Sequence, residues 1–199
     1  MIRLEKLGPQ HAAPILGGQD DLLATEVFGV HWEADALAAF LDRASRWQAD
    51  GPLREYAAMC DDVEAPGDDV EAEGGAGTGA GAGAAGEFAA CGARGTGGKL
   101  IGGGGLHLLG AGLERGDAAL TYWVLAPHRG QGYGTEIATA LVDLARTEQR
   151  IHQLVLRIAP HNAASAAVAR SLGATPTGTT ERHPVDGTRF VDRWTLPLR

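Results

Sequence analysis

Arg129-Gly130-Gln131-Gly132-Tyr133-Gly134-Thr135 follows directly on the apolar run Leu120-Thr121-Tyr122-Trp123-Val124-Leu125 and leads directly into a helical pattern. That order predicts a strand, a tight glycine-rich turn, and a helix whose first N–H groups lack intrahelical acceptors. Glycines at alternate positions remove the Cβ atoms that would hold an anion off the backbone, and the helix dipole adds partial positive charge at the same end. The stretch therefore reads as a phosphate cradle. A dinucleotide fingerprint would need its third glycine at Thr135 and an acidic residue closing the next strand, and a Walker-type loop would need Lys after its last glycine. Neither pattern is present.

The length of 199 residues suits a single domain, 1–199, with a substantial core. The formal net charge is −8, but 61–73 alone holds seven carboxylates and no Lys or Arg, leaving about −1 for the remainder. No basic stripe or interleaved aromatic platform is present, so nucleic acid is not an expected partner. No apolar run is long enough to span a bilayer, and Met1-Ile2-Arg3-Leu4-Glu5-Lys6 lacks a signal-peptide pattern; no membrane partner and a cytoplasmic location are expected. Cys60 and Cys91 read as structural thiols, and the seven His are scattered without ligand spacing, so no metal is expected.

Around the loop the chain organises readily. Ile2 to Leu7 alternates as a half-buried strand, and 10–48 carries helical periodicity interrupted near Gly29-Val30. Leu53 to Cys60 reads as a second strand. Residues 61–98 run from the acidic block into a Gly/Ala-rich tract with little to offset the entropy of ordering, and are expected to be a mobile insertion. Within it Glu87-Phe88-Ala89-Ala90-Cys91 echoes 55–60 and competes for the second-strand position. Lys99 to Leu109 is a strand softened by four successive glycines, and 117–125 is the next. After the loop and its helix come a strand at 153–158 and a helix from Asn162 to Gly173. A hairpin of 175–182 and 189–196 closes the chain.

The Arg-x-x-Gly-x-Gly spacing of Arg129, Gly132 and Gly134, its flanks from Tyr122 to Glu136, and Asn162-x-x-Ser165 on the next helix resemble the GNAT superfamily of N-acetyltransferases. The branch most resembled includes the ribosomal-protein N-terminal (alanine/serine) acetyltransferases. The resemblance implies an α+β fold: a mixed, mostly antiparallel six- to seven-stranded sheet with helices on both faces and a splayed parallel strand pair at the cofactor site. It implies acetyl-CoA as cosubstrate and an amine as acceptor, either a protein N-terminus or a small molecule. Dimers are common in the family. Val124, Leu125 and Ala126 fall where pantetheine pairs with the strand, and a backbone N–H near Val124 or Leu125 is the expected oxyanion donor. Arg129, Gly130, Gln131, Gly132, Gly134 and Thr135 would hold the pyrophosphate.

Matching positions in the resembled branch also put Asn162 against pantetheine and Ser165 near the thioester sulfur. Read locally, the same two residues are an N-cap and its third helical position, and both roles can coexist. Arg170 reaches the nucleotide phosphates or is solvated. Glu181 is the first candidate for the base, since the branch places a functional Glu just past the position of Gly178; by local pattern it is a surface hairpin residue. His107 and Glu55 are the alternatives. Neither cysteine has an evident His partner, which favours direct transfer over a covalent enzyme intermediate. With no unambiguous acid or base, a catalytically silent CoA-binding sensor is the alternative function.

Overall fold

A computed structural model describes residues 2–25, 29–48, 50–61, 98–184 and 186–198. Strands β1 (Ile2–Lys6), β2 (Leu53–Cys60), β3 (Lys99–His107), β4 (Asp117–Val124), β5 (Gln153–Ile158), β6 (Thr175–Arg182) and β7 (Phe190–Pro197) form one seven-stranded sheet. Its order is β1-β2-β3-β4-β5-β7-β6, so the last strand inserts beside β5 and leaves β6 at the edge. β4 and β5 are parallel and the other neighbours antiparallel. The second strand is Leu53–Cys60, hydrogen-bonded between β1 and β3. The acidic block beyond Asp61, the Gly/Ala tract and the competing segment 87–91 lie outside the described residues.

Each face of the sheet has its own core. Helices α1 (Ala12–Gly18), α2 (Asp21–Leu23) and α3 (Ala34–Ser45) supply Ile15, Leu23, Leu37 and Leu41, which cluster with Leu7, Trp123 and Leu125. On the opposite face, α4 (Tyr133–Thr147) and α5 (Ala163–Ser171) bring Ile137, Leu141, Ala145 and Ala169 against Leu106, Leu120, Leu154 and Leu156. Covering both faces explains why β3 and β5 read as nearly continuous apolar runs.

Two features of the sheet position the site. First, β4 pairs with β5 through Asp117–Ala119 against Gln153–Val155, whereas β5 stays paired with β7 as far as Ile158. From Leu120 onward the parallel strands therefore part. Second, the four glycines of β3 are not a soft spot. A Cβ on Gly103 would fall 2.6 Å from the Trp123 ring, and one on Gly104 would fall 2.7 Å from the Leu141 side chain. These residues lack side chains because Trp123 from one face and α4 from the other press directly on the strand. At the far end of α4, the buried Arg54 of β2 binds Glu148 at 2.7 Å. Arg150 and Arg54 together hold the Glu148 carboxyl down at about 2.

Candidate active site

The glycine loop lies where β4 ends. Gly130 has φ of 76° and Gly132, the N-cap of α4, has φ of 86°, both in the left-handed region that glycine tolerates and a side chain resists. A Cβ at either would meet nothing within 4 Å, so the loop presents bare backbone to open space. That space is a groove of about 250 Å³ lined by Val124, Arg129, Gly130, Gly132, Gly134 and Thr135, with Leu22 and Leu23 of α2 and Asn162 and Ser165 of α5 also along it. Such a groove at a helix N-terminus fits a pyrophosphate, and its apolar side fits a pantetheine arm.

The Arg129 side chain has a different task from the one its position suggests. Its guanidinium grips Asp20 through two bonds of 2.6 and 2.8 Å, and its Nε donates to the Val124 carbonyl at 3.1 Å. The bond from Arg129 is the main reason the Asp20 carboxyl lies below its ordinary range. Asp20 also caps α2, accepting from the Leu23 N–H at 2.9 Å, so this pair ties α2 to the glycine loop. Beside the loop, burial with help from nearby Lys99 keeps the His128 imidazole below its usual range and hence neutral.

Along β4 the backbone alternates. The Leu125 N–H donates to Ile101 of β3 at 2.9 Å and Leu125 is buried, so its N–H is engaged in the sheet and is not available as an oxyanion donor. The ladder alternation turns the Tyr122 and Val124 N–H groups toward the gap instead. Ala126 opens a short 3-10 turn, and Gln131 hydrogen-bonds back to the Pro127 carbonyl at 3.3 Å; neither lines the groove. Arg170 is exposed, with its guanidinium over the Trp194 ring at 5.3 Å, and is not among the residues that line the groove.

Asn162 and Ser165 stand at the N-cap and the third helical position of α5 and also border the groove. The Asn162 side chain accepts from the Ser165 N–H at 2.9 Å, capping α5, and both residues line the groove. The sequence had not singled out what faces Ser165: the Tyr122 hydroxyl donates to Ser165 Oγ at 3.1 Å across the gap. Burial pushes the Tyr122 hydroxyl above its ordinary range, and the bond to Ser165 partly opposes this, so the phenol stays protonated at neutral pH. Strand alternation, which sets Tyr122 with Leu120 and Val124, was the available signal.

A second cavity, of about 470 Å³, opens on the other side of the gap and shares Tyr122, Trp123, Asn162 and Ser165 with the groove. Glu55 and His107, from adjacent strands, line it together, with His107 Nε2 2.6 Å from Glu55 Oε1. The carboxylate can only accept, so Nε2 carries the hydrogen and Nδ1 is left as the basic nitrogen. Glu181 does not join them. It is bound by Arg157 and Arg193, which in turn hold the loop between β3 and β4 through the Ala111 and Gly112 carbonyls at 2.5 and 2.7 Å. Glu181 thus neutralises two loop-anchoring arginines instead of facing the cleft. Among the described residues no group of His, Cys, Asp and Glu could hold a metal, and no helix is long and apolar enough to cross a membrane.

A parallel strand pair that parts beside a backbone phosphate cradle, with a second cavity meeting it at the gap, defines an acyl-CoA-dependent transferase. The chain belongs to the acetyltransferase (GNAT) domain family, whose description matches residues 2–175. Spermidine N-acetyltransferase from Vibrio cholerae, solved with CoA and spermine, superposes with a TM-score of 0.66 at 14% identity, over 99% of this chain and 95% of that one. The aminoglycoside acetyltransferase AAC(6′)-Ib with coenzyme A gives 0.67 at 14% identity over the same shares. A GNAT-family acetyltransferase from Bacillus anthracis gives 0.64 at 11%, again over 99% and 95%. At these identities the likeness is one of fold. No curated protein matches the chain by sequence.

Proposed function

We propose that the protein transfers the acetyl group of acetyl-CoA directly to a primary amine, a protein N-terminus or a small-molecule amine, within a ternary complex. The observation that carries this reading is the meeting of groove and cleft at the Tyr122–Ser165 pair, with the Glu55–His107 pair on the cleft wall. Acetyl-CoA supplies a thioester acetyl group. The backbone of Gly130, Gly132 and Gly134 and the α4 N-terminus would hold its pyrophosphate, with Val124 and Asn162 along the pantetheine arm.

The acceptor must arrive as ammonium and react as amine. His107 Nδ1, through water, takes the proton, and Glu55 stabilises the resulting imidazolium. The amine nitrogen then bonds to the acetyl carbon as the carbon–sulfur bond breaks, and the Tyr122 or Val124 N–H faces the charge that develops on oxygen. Tyr122, kept protonated by burial and bonded to Ser165, donates to the departing thiolate and is reprotonated, through water, by the second proton that the nitrogen loses as the amide forms. Because the base and the acid lie on opposite faces of β4, no covalent enzyme intermediate is needed.

The resemblance of residues 122–136 and of Asn162 and Ser165 to the ribosomal-protein branch supports a peptide N-terminus among the acceptors, and a cytoplasmic setting. Initial-rate kinetics test the mechanism. Intersecting double-reciprocal lines for acetyl-CoA and amine are expected, with calorimetric binding of acetyl-CoA to the enzyme alone. Parallel lines would exclude direct transfer, and binding without turnover on any amine would make the protein a CoA sensor.

A further inference from the structure

The described wall of the cleft carries little unpaired negative charge. Among the described residues that line it, Glu55 is the sole carboxylate, and it is already engaged by His107 at 2.6 Å. Arg157 and Arg189 line the same cleft, and each faces one acid, Glu181 and Asp186, so these pairs leave no surplus negative charge. An ammonium drawn out of water needs a counter-charge or several acceptors, and a molecule carrying three or four of them needs a matching number.

Much of the remaining wall is apolar. Trp32 stacks on Phe40 with ring centroids 5.2 Å apart, backed by the buried Leu7, Ile15 and Leu37, and Leu109 lines the cleft with 66% of its surface exposed. A cavity of about 470 Å³ with a flat aromatic wall on one side and the Glu55–His107 pair on another holds a small apolar body and fixes it by a polar end.

We infer that the acceptor carries one primary amine on an apolar or aromatic body, in contrast to a polyamine or an aminoglycoside. The inference rests on the acetyl-transfer reading above. The ammonium lies toward His107, which takes one of its protons with Glu55 behind it, and the body lies against Trp32 and Phe40. Two sources share this chemistry: a free arylalkylamine, and a peptide whose first residue has an apolar side chain.

The test is CoA release from saturating acetyl-CoA, followed with a thiol reagent, using 2-phenylethylamine, a phenylalanine-initiated tripeptide, spermidine and kanamycin, with acetyl-CoA binding measured in parallel by calorimetry. One of the first two should exceed both polycations in kcat/KM by roughly 10-fold or more, and which one it is identifies the source. Trp32→Ala should raise KM for that amine by roughly 10-fold. Leu109→Glu, at an exposed position where folding is undisturbed, should narrow the gap to spermidine. Equal or better transfer to spermidine or kanamycin would overturn the inference and leave acetyl transfer standing. Failure of every apolar amine while acetyl-CoA still binds would likewise overturn it. Absence of acetyl-CoA binding would overturn the transfer reading and the inference together.

Discussion

The donor groove and the acceptor cleft meet at one gap yet are built in opposite ways. The groove turns on the backbone of one short segment, Arg129 to Thr135, whose geometry follows from glycines at two left-handed positions, with residues of α2, β4 and α5 along its sides. The cleft is side chains from segments far apart in sequence: Trp32 and Phe40, Glu55, His107, and the hairpin loop near Arg189. A backbone site serves any chain that repeats the local spacing, whereas a side-chain site changes with each residue on its wall. The donor is therefore a family property, and the acceptor belongs to this chain.

The sharpest way to separate the two regions is to remove the base. His107→Ala, or Glu55→Gln, should lower kcat by roughly 10²- to 10⁴-fold with acetyl-CoA affinity by calorimetry nearly unchanged. Parallel loss of CoA binding would show that the two regions are one. Gly103→Ala drives a Cβ into the Trp123 ring, which forms part of both regions. A loss of about 1–3 kcal/mol in denaturant unfolding is expected, against little change if the glycine run were merely soft.

The Arg54–Glu148 pair bolts β2, which carries Glu55, to the end of α4, which carries the glycine loop. Glu148 titrates at about 2 in the fold against an ordinary 4.5, so its contribution is complete above pH 4.5 and is lost as pH falls toward 2. Glu148→Gln should flatten the acid limb of a stability–pH profile and cost on the order of 2 kcal/mol at neutral pH. An unchanged acid limb would show that other carboxylates dominate it.

Gly132→Ala should do the reverse of the His107 change. The left-handed φ imposes about 1–2 kcal/mol on a side chain, so acetyl-CoA binding weakens by roughly 10-fold while the acceptor KM holds. A shift confined to the acceptor KM would contradict the division of labour. The smallest expected effect is at the seam: Tyr122→Phe should lower kcat by about 10-fold, near 1.4 kcal/mol, and the loss should not add to that of Ser165→Ala if the hydroxyls act as one donor. Full additivity would mean that they act separately.

The donor side was legible because its signals are local. Gly130, Gly132 and the Asn162 cap declare backbone geometry within a few residues, and local geometry does not depend on where the rest of the chain goes. Arg129 was legible as part of the loop but not as the partner of Asp20, which lies 109 residues away in sequence. Arg170 and Glu181 had patterns compatible with function and were claimed by Trp194 and by two arginines, contacts that no spacing announces. His107 and Glu55 were visible as residues of the right type on strands, but nothing in 55 and 107 as numbers sets them 2.6 Å apart.

The sequence by itself determined that a strand, a glycine cradle and a capped helix follow one another, and with them the fold class and the CoA end of the reaction. The succession follows from backbone sterics and hydrophobic periodicity, which act over a few residues, while the fold class and CoA came through the resemblance of residues 122–136, Asn162 and Ser165 to the GNAT superfamily. Only the tertiary structure decided which strands part and which N–H groups face the gap. It also decided that Tyr122 meets Ser165 and that Glu55 meets His107. Those depend on sheet order and register, which bring distant residues side by side and are set by how two cores close over both faces of one sheet.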